Sequence, residues 1–531
     1  MFCVLAGALA CFFIGMQVVR SGEPLGLDQG LFATFGRFVP EGLLPYRDIF
    51  DTKPPLFLYL WVAAWVLGKS TAGVWLLQGA WLACTLAVAG LLVGRLWGRY
   101  AGLGAAAFLL VGLSAPGLGG YTARAQAEEL AALPGVAAAF LALAACGRPR
   151  LAFATGIVMG LVGLMKVPAL AMAAAWLLLW LTTGLRGAVA RASLFFVGML
   201  VPWGAAAIFF AAHGALGEAV FAVFFVQGHY SAVIAPPWAE VLLAFGRAVV
   251  AEFGIMLVPA GAGIVALVQR DRQQAAWLVL WLGSAMAGVL VQRQLAGYHF
   301  LLVVPALAVA AGMGLTRLTE WASKARGLAR LTVWSLLAAT VLFAGATALA
   351  WQKEYALDVA YVLGRIDRET YLRRLAVGTF SPATEEAVAR FLKEKVPQGE
   401  TILVWGLSPG VYALSGRQPA TKYPFHKVLL TDAPLSVRIG GLEARREAFL
   451  RALRSRPPKA IVVGRGDANG FEPEDSLTSL GRFAGLAAFV AERYTRYATI
   501  GRFEILLRNE NEGSLSPRKG HRGESLACLQ R

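Results

Sequence analysis

LDQGLFATFGRFVPEGLLPYRDIFDTKPPLFLYLW, residues 27–61, decides how this chain is read. It gathers Asp28, Arg37, Tyr46, Arg47, Asp48, Asp51 and Lys53 into one span between the apolar runs 1–19 and 56–67. Ionisable groups at a membrane boundary are costly unless they are paired, solvated or used. Connections in compact domains are commonly shorter than about a dozen residues, so a long polar stretch here needs a reason. We read it as a catalytic loop on the outer face of a membrane.

The rest of the chain supports a membrane setting. Of its 531 residues 57% are hydrophobic and only 15% charged, with mean hydropathy +0.60. A soluble protein would carry roughly a quarter charged residues. Apolar runs recur from 2 to 351, predicting a polytopic α-helical membrane protein with a more polar C-terminal part. Spans are expected at 1–19, 73–94, 101–118, 128–146, 151–166, 168–184, 192–212, 253–269, 275–292, 299–315 and 329–351, about eleven in all. The 56–67 piece is too short for a hydrocarbon core of about 30 Å. It reads as an interfacial helix opened by Pro54-Pro55. Residues 1–19 lack a positive n-region, and their Ala-x-Ala lies too near the start for a cleavage site, so they read as a retained first helix.

Charge sets the orientation. Net charge is +17, with 21 Lys and Arg against 12 Asp and Glu up to Trp351, and 28 against 20 beyond it. The excess is dispersed, unlike a nucleic-acid tail, and suits anionic head groups or phosphates. Arg95/Arg99, Arg148/Arg150, Arg186/Arg191, Arg270/Arg272 and Arg317/Lys324/Arg326/Arg330 fall on one side, with Asp271 and Glu320 its only acids. The positive-inside rule makes that side cytoplasmic. A multi-pass protein of a bacterial inner membrane is expected, N-terminus cytoplasmic. Segments 27–61, 121–126, 213–252 and everything after 351 then lie outside, in the periplasm or its equivalent. A crossing at 56–67 would reverse every later loop, which also favours the interfacial reading. Cys3, Cys11, Cys84, Cys146 and Cys528 form neither a metal pattern nor a disulfide framework.

Three parts result: a transmembrane catalytic domain over 1–351 with a first outer loop at 21–72, an α/β domain over 352–508, and a tail over 509–531. In the second, Ser381-Pro382 opens a helix to about 396, 401–405 and 460–463 read as buried strands, and 442–453 as a helix. WGLSPG at 405–410 reads as a strand running into a turn; no GxGxxG is present. The tail is poor in apolar residues and is expected to be disordered.

Several residues could carry chemistry. A lone interfacial Asp28 is usually a solvated or capping carboxylate. Its weight grows because Glu128 and Glu129, opening the fourth span, reach the same side. Two such acidic positions can make a base or hold a divalent cation, and Arg124 could instead neutralise them. Lys53 either snorkels or holds a phosphate as a point charge. Lys166 and Arg293 end their spans on the outer side, where no structural excess of cations is expected, so the three together suggest a phosphate cradle. His299, like His229-Tyr230, is more often a satisfied interfacial side chain than a ligand. No zinc pattern, Ser-His-Asp order or P-loop is present.

Asp28-Gln29-Gly30, then Gly42-Leu43-Leu44-Pro45-Tyr46-Arg47-Asp48, then Asp51-Thr52-Lys53-Pro54-Pro55-Leu56 resembles the first outer loop of GT-C glycosyltransferases. The resemblance is to the bacterial branch similar to dolichyl-phosphate-mannose protein mannosyltransferases and the lipid A aminoarabinose transferase. Gln126-Ala127-Glu128, Lys166 in GLMKVPAL, Tyr298-His299 and VWGLSPGVYALSGRQPATKYPF extend it along the chain. It implies a polyprenyl-phosphate sugar donor, transfer on the outer face to a glycan, lipid or protein acceptor, and inversion at the anomeric carbon. Asp28 would be the catalytic base. Lys53, Lys166 and Arg293 would hold the donor phosphate, with Tyr46, Asp48, Asp51 and His299 as substrate contacts. Glu128 or Glu129 is the second acidic position, and Asp28 with Glu128 would hold a divalent cation if one is used. Gln29 stands where an acid often follows the Asp.

Two other classes compete. A transporter or flippase would place ionisable residues near mid-membrane on broken helices, whereas here they gather at one face. A structural protein with an outer interaction domain would be indifferent to Asp28→Asn.

Overall fold

The computed structural model describes residues 1–230, 233, 236–469 and 472–509; the expected disordered tail lies almost wholly outside them. Every expected span has its helix: α1 (Phe2–Val19), α4 (Thr71–Trp97), α5 (Arg99–Leu113), α6 (Ala127–Ala145), α7 (Leu151–Gly163), α8 (Ala171–Leu181) and α9 (Leu185–Ala212). After the short α10 (Leu216–Val220) and α11 (Gln227–Tyr230) come α12 (Trp238–Arg270), α13 (Arg272–Leu290), α14 (Val304–Lys324) and α15 (Gly327–Val362). Among the described residues seven helices are long and apolar enough to cross a membrane, and shorter apolar helices complete the bundle.

The 27–61 stretch is more ordered than a loop. It holds helix α2 (Leu27–Phe38), an irregular link over 39–54, and the start of α3 (Pro55–Gly68). Gln29 starts α2: its Oε1 accepts the Gly26 N–H at 2.5 Å, and its Nε2 donates to the carbonyls of Tyr121 (2.9 Å) and Arg124 (2.7 Å). At 14 residues α3 is about 21 Å long, short of a bilayer core. Helix α15 also runs past the expected boundary at Trp351 to Val362. There Tyr361 stacks on Tyr371 with ring centroids 4.4 Å apart.

The C-terminal domain, on the side expected to be the outer one, carries α16 (Arg368–Arg374), α17 (Pro382–Lys395), α18 (Gly410–Ser415), α19 (Pro434–Ile439), α20 (Leu442–Ser455), α21 (Ser476–Arg482) and α22 (Ala484–Arg493) around one sheet. Its strands β1 (Ile402–Trp405), β2 (Ala460–Gly464), β3 (Tyr494–Ile500) and β4 (Phe503–Arg508) lie in the order β1-β2-β4-β3, with β1 and β2 parallel and the other pairs antiparallel. Strands β1 and β2 are wholly buried, as their unbroken apolar runs predict. Sequence reading found this pair and missed the closing hairpin.

The domain seats directly on α2. Gly30 and Gly410 meet backbone to backbone, and a Cβ built on Gly30 would lie 2.7 Å from the Gly410 Cα. Around that contact Thr34 Oγ1 donates to the Pro409 carbonyl (2.9 Å) and Arg37 to the Ala413 carbonyl (2.9 Å). The Phe50 N–H donates to the Lys422 carbonyl at 2.7 Å.

Candidate active site

Between bundle and outer domain lies a cavity of about 400 Å³. Its wall takes Asp28 from α2, Asp51, Thr52 and Lys53 from the link, Lys166 and Pro168 from the α7–α8 break, and Tyr298 and His299 from the α13–α14 break. Gln227 and Tyr230 come from α11, and the outer domain closes the cavity with Leu407, Pro409, Phe425 and Lys427. Interrupted helices are what let polar groups enter here. Lys166 precedes a 3-10 turn (Val167–Leu170), and Tyr298 and His299 sit in another (Gly297–Leu302). Among the described residues five non-glycines have positive φ; Arg293 and Leu295 lie just before the Gly297–Leu302 turn, Tyr46 is in the 39–54 link and Ala125 just precedes α6. Such strain persists only where surrounding packing enforces it, and it concentrates at functional sites.

Asp28 lies in the first turn of α2, where the helix dipole favours negative charge. The Tyr298 hydroxyl donates to its Oδ2 at 3.3 Å. Burial works against the Lys53 ammonium, but the carboxylates of Asp28, Glu128 and Asp51 outweigh it and hold the group above the ordinary lysine range. Burial raises the Asp51 carboxyl to about 6 against the pull of Lys53. Glu128, fully buried, pairs with Lys166 at 2.6 Å, and His299 Nε2 is 3.9 Å from the same oxygen.

Not every expected residue joins this cavity. Glu129 turns away into a second buried network, accepting from Gln78 Nε2 (2.5 Å) and the Ala125 N–H (2.6 Å). There Arg124 pairs with Glu23 at 2.6 Å, not with Glu128 or Glu129, and Glu23 also takes Arg20 at 2.9 Å. Neighbours in the first turn of α6 point about 100° apart, which sends Glu128 to Lys166 in the cavity wall and Glu129 to Gln78; neither carboxylate itself lines the cavity. Arg293, at φ +57, is outside the lining: its guanidinium donates to the Pro236 carbonyl at 2.5 Å and lies over the Trp238 ring, while Gln292 and Gln294 flank it in the wall. Tyr46 donates to the Lys53 carbonyl at 2.8 Å and so holds the link from behind, and Asp48 accepts from the Leu44 N–H (2.9 Å) and Arg47 (2.8 Å). Both support the loop and neither lines the cavity.

A divalent cation does not fit this donor set. Glu128 is committed to Lys166, and Gln29 faces away, clamped on two carbonyls. Among the described residues no group of three or more His, Cys, Asp or Glu could hold a metal.

The residue missed by sequence reading is Lys427. Its ammonium lies 3.4 Å from the Tyr230 hydroxyl and over that ring. Burial is again outweighed, here by Tyr230 and Glu472, and the ammonium is held above the ordinary range. Its position is fixed through the preceding residue: Ser476 Oγ donates to Asp467 Oδ2 (2.6 Å), so His426 Nε2–H donates to Ser476 (2.6 Å). Burial lowers the His426 pKa to about 3, so this ring is a neutral strut. No local pattern marks Lys427, because only docking of the outer domain brings it to Asp28.

No protein-family model matches the chain, and no curated protein matches it in sequence. In three dimensions it is similar to ArnT from Cupriavidus metallidurans bound to undecaprenyl phosphate, at TM-score 0.59 and 15% identity, over 96% of this chain and 100% of that one. The apo state of ArnT from the same organism gives TM-score 0.57 and 15% identity, over 94% and 98%. The chain therefore has the fold of ArnT, a helical membrane-type bundle with a small C-terminal α/β domain.

Proposed function

We propose that this protein is an inverting glycosyltransferase that moves a sugar from a polyprenyl-phosphate donor to a cell-envelope acceptor on the outer face of the inner membrane. The observation that carries the reading is the meeting of Asp28, with Asp51 beside it, and the lysines Lys53, Lys166 and Lys427 in the wall of a single cavity between the bundle and the outer domain. The ArnT likeness supports a lipid-phosphate donor, since that protein was captured with undecaprenyl phosphate.

The acceptor oxygen attacks the anomeric carbon as its O–H proton passes to Asp28. The bond from that carbon to the phosphate oxygen breaks on the opposite face, and the lipid phosphate departs with the electron pair. Negative charge grows on the phosphate in the transition state, where preorganised cations act most strongly. Lys53 and Lys427 supply that charge directly. Lys166, bound to Glu128, positions the wall and moderates its field. Tyr298 orients the base through its hydroxyl. No general acid is required, because a phosphate is already a good leaving group.

The test uses the purified full chain in detergent with synthetic short-chain polyprenyl-phosphate sugars, beside mass spectrometry of envelope glycans from a deletion strain. Release of polyprenyl phosphate dependent on Asp28, and loss of one glycan modification in the deletion strain, are expected. Neither occurring with any donor would remove the transferase reading.

A further inference from the structure

A second cleft, of about 230 Å³, lies at the other end of the bundle. Arg317 follows Val304 in α14 by 13 residues, about 20 Å along the helix, which places the cleft near the opposite membrane boundary from His299. Arg99 at the start of α5, Arg270 at the end of α12 and Arg317 on α14 line it, with Glu320 its only acid. Three guanidinium groups against one carboxylate leave two net positive charges. The first amides of α5 have no intrahelical acceptor and open at the same place. Trp97 and Tyr100 are the kind of aromatic residue that sits at head-group depth. Below them the lining turns apolar, through Ala101, Ala266, Leu267 and Met313.

We propose that this cleft is a binding site for the head group of an anionic glycerophospholipid of the leaflet opposite the active site. Each part of the cleft answers one part of such a ligand. The arginines meet the phosphate, where a planar fork can bind two oxygens at once. The aromatic pair meets the glycerol region, and the apolar floor continues into acyl chains. A free anion would use the arginines and leave the floor bare. Arg317 reaches Glu320 at 2.6 Å and Arg99 stacks on Phe2 and Tyr100, so the cleft is held open and cationic without a ligand. The inference is independent of the transferase reading, since no turnover enters its test.

Delipidated full-length protein in a neutral detergent is titrated with phosphatidylglycerol, with phosphatidylcholine, and with inorganic phosphate. Bound lipid is counted by native mass spectrometry, and the melting temperature is followed. One saturable phosphatidylglycerol site with a rise in melting temperature is expected, and little response to the other two. An arginine beside an anionic surface contributes about fivefold, so Arg99→Gln/Arg270→Gln/Arg317→Gln should weaken the site on the order of a hundredfold. A control, Arg148→Gln/Arg150→Gln/Arg186→Gln, removes the same charge from the same end of the bundle and should keep it. All three cleft arginines are at least partly exposed, so the variant keeps its packed core. Unchanged binding in the cleft variant, equal loss in the control, or equal response to phosphatidylcholine would overturn the proposal. A matching rise in melting temperature with phosphate alone would replace the lipid by a free anion.

Discussion

The Lys166 ammonium lies 2.6 Å from the Glu128 carboxylate, and both are buried. This one contact ties the α7–α8 break to the first turn of α6 and commits Glu128 to a cation. Removing one partner of such a pair leaves an uncompensated charge, which costs about 3–5 kcal/mol. Glu128→Gln and Lys166→Met should each lower the melting temperature strongly, and the double variant should recover most of the loss. Additive losses in the double-mutant cycle would mean that the pair is not coupled.

Asp28→Asn keeps shape and polarity but cannot take the acceptor proton. A general base is worth about a hundred- to ten-thousandfold, so single-turnover transfer should fall on that scale while donor affinity holds. Lys53→Ala should lose both affinity and rate, with Lys53→Arg restoring part. Full turnover in Asp28→Asn would disqualify it as base.

Lys427 tests whether the outer domain takes part in the chemistry. A charge-assisted hydrogen bond contributes about 1.5–3 kcal/mol, so Lys427→Ala should reduce kcat/KM on the order of tenfold or more with folding intact. An unchanged kcat/KM would leave the residue as a brace for Tyr230.

Asp51 should leave a mark on the pH dependence of stability. Its folded pKa, about 6, is above the ordinary 3.8, with burial as the main cause. The folded state thus binds the proton more tightly than the unfolded one. That stabilisation is complete below about pH 4 and is lost as pH rises through 6. The loss amounts to about 3 kcal/mol. Asp51→Asn should therefore melt higher than the parent at pH 8 and near it at pH 4. Parallel melting curves at all pH values would count against a buried, protonatable Asp51.

Orientation follows from accessibility in intact cells. With the native cysteines removed, Thr182→Cys, on an exposed turn at the end of α8, should be shielded from a membrane-impermeant thiol reagent. Ala491→Cys, on the exposed face of α22, should react. The reverse pattern would put the active site in the cytoplasm.

Hydropathy made the bundle legible, because each helix had to present about twenty apolar residues or fold against neighbours that did. Helix α2 was harder to see. LDQGLFATFGRF carries two glycines and two charges, and its order comes from the Gln29 clamp and from contacts with Pro409 and Ala413, far away in sequence. Asp28, Asp51, Lys53, Lys166 and His299 could be found because ionisable groups beside apolar runs are conspicuous. Lys427 could not, since it is not unusual where it stands, and Tyr230 was noticed only beside His229 and read as an interfacial side chain. Arg293 was conspicuous too, yet a one-residue backbone reversal points it at the Pro236 carbonyl.

The bare contact between Gly30 and Gly410 bears on how such a chain can be recombined. Grafting a relative's outer domain at residue 381 would set a foreign surface against α2, and any side chain at either glycine would wedge the two apart. A working chimera has to exchange 27–54 together with 382–508, although more than three hundred residues separate them. The segment that carries Asp28 and the outer domain are in that sense one heritable cassette, interrupted by the membrane bundle. Sequence drift should respect it, with changes on the α18 face answered by changes on α2 before any appear in the lipid-facing helices.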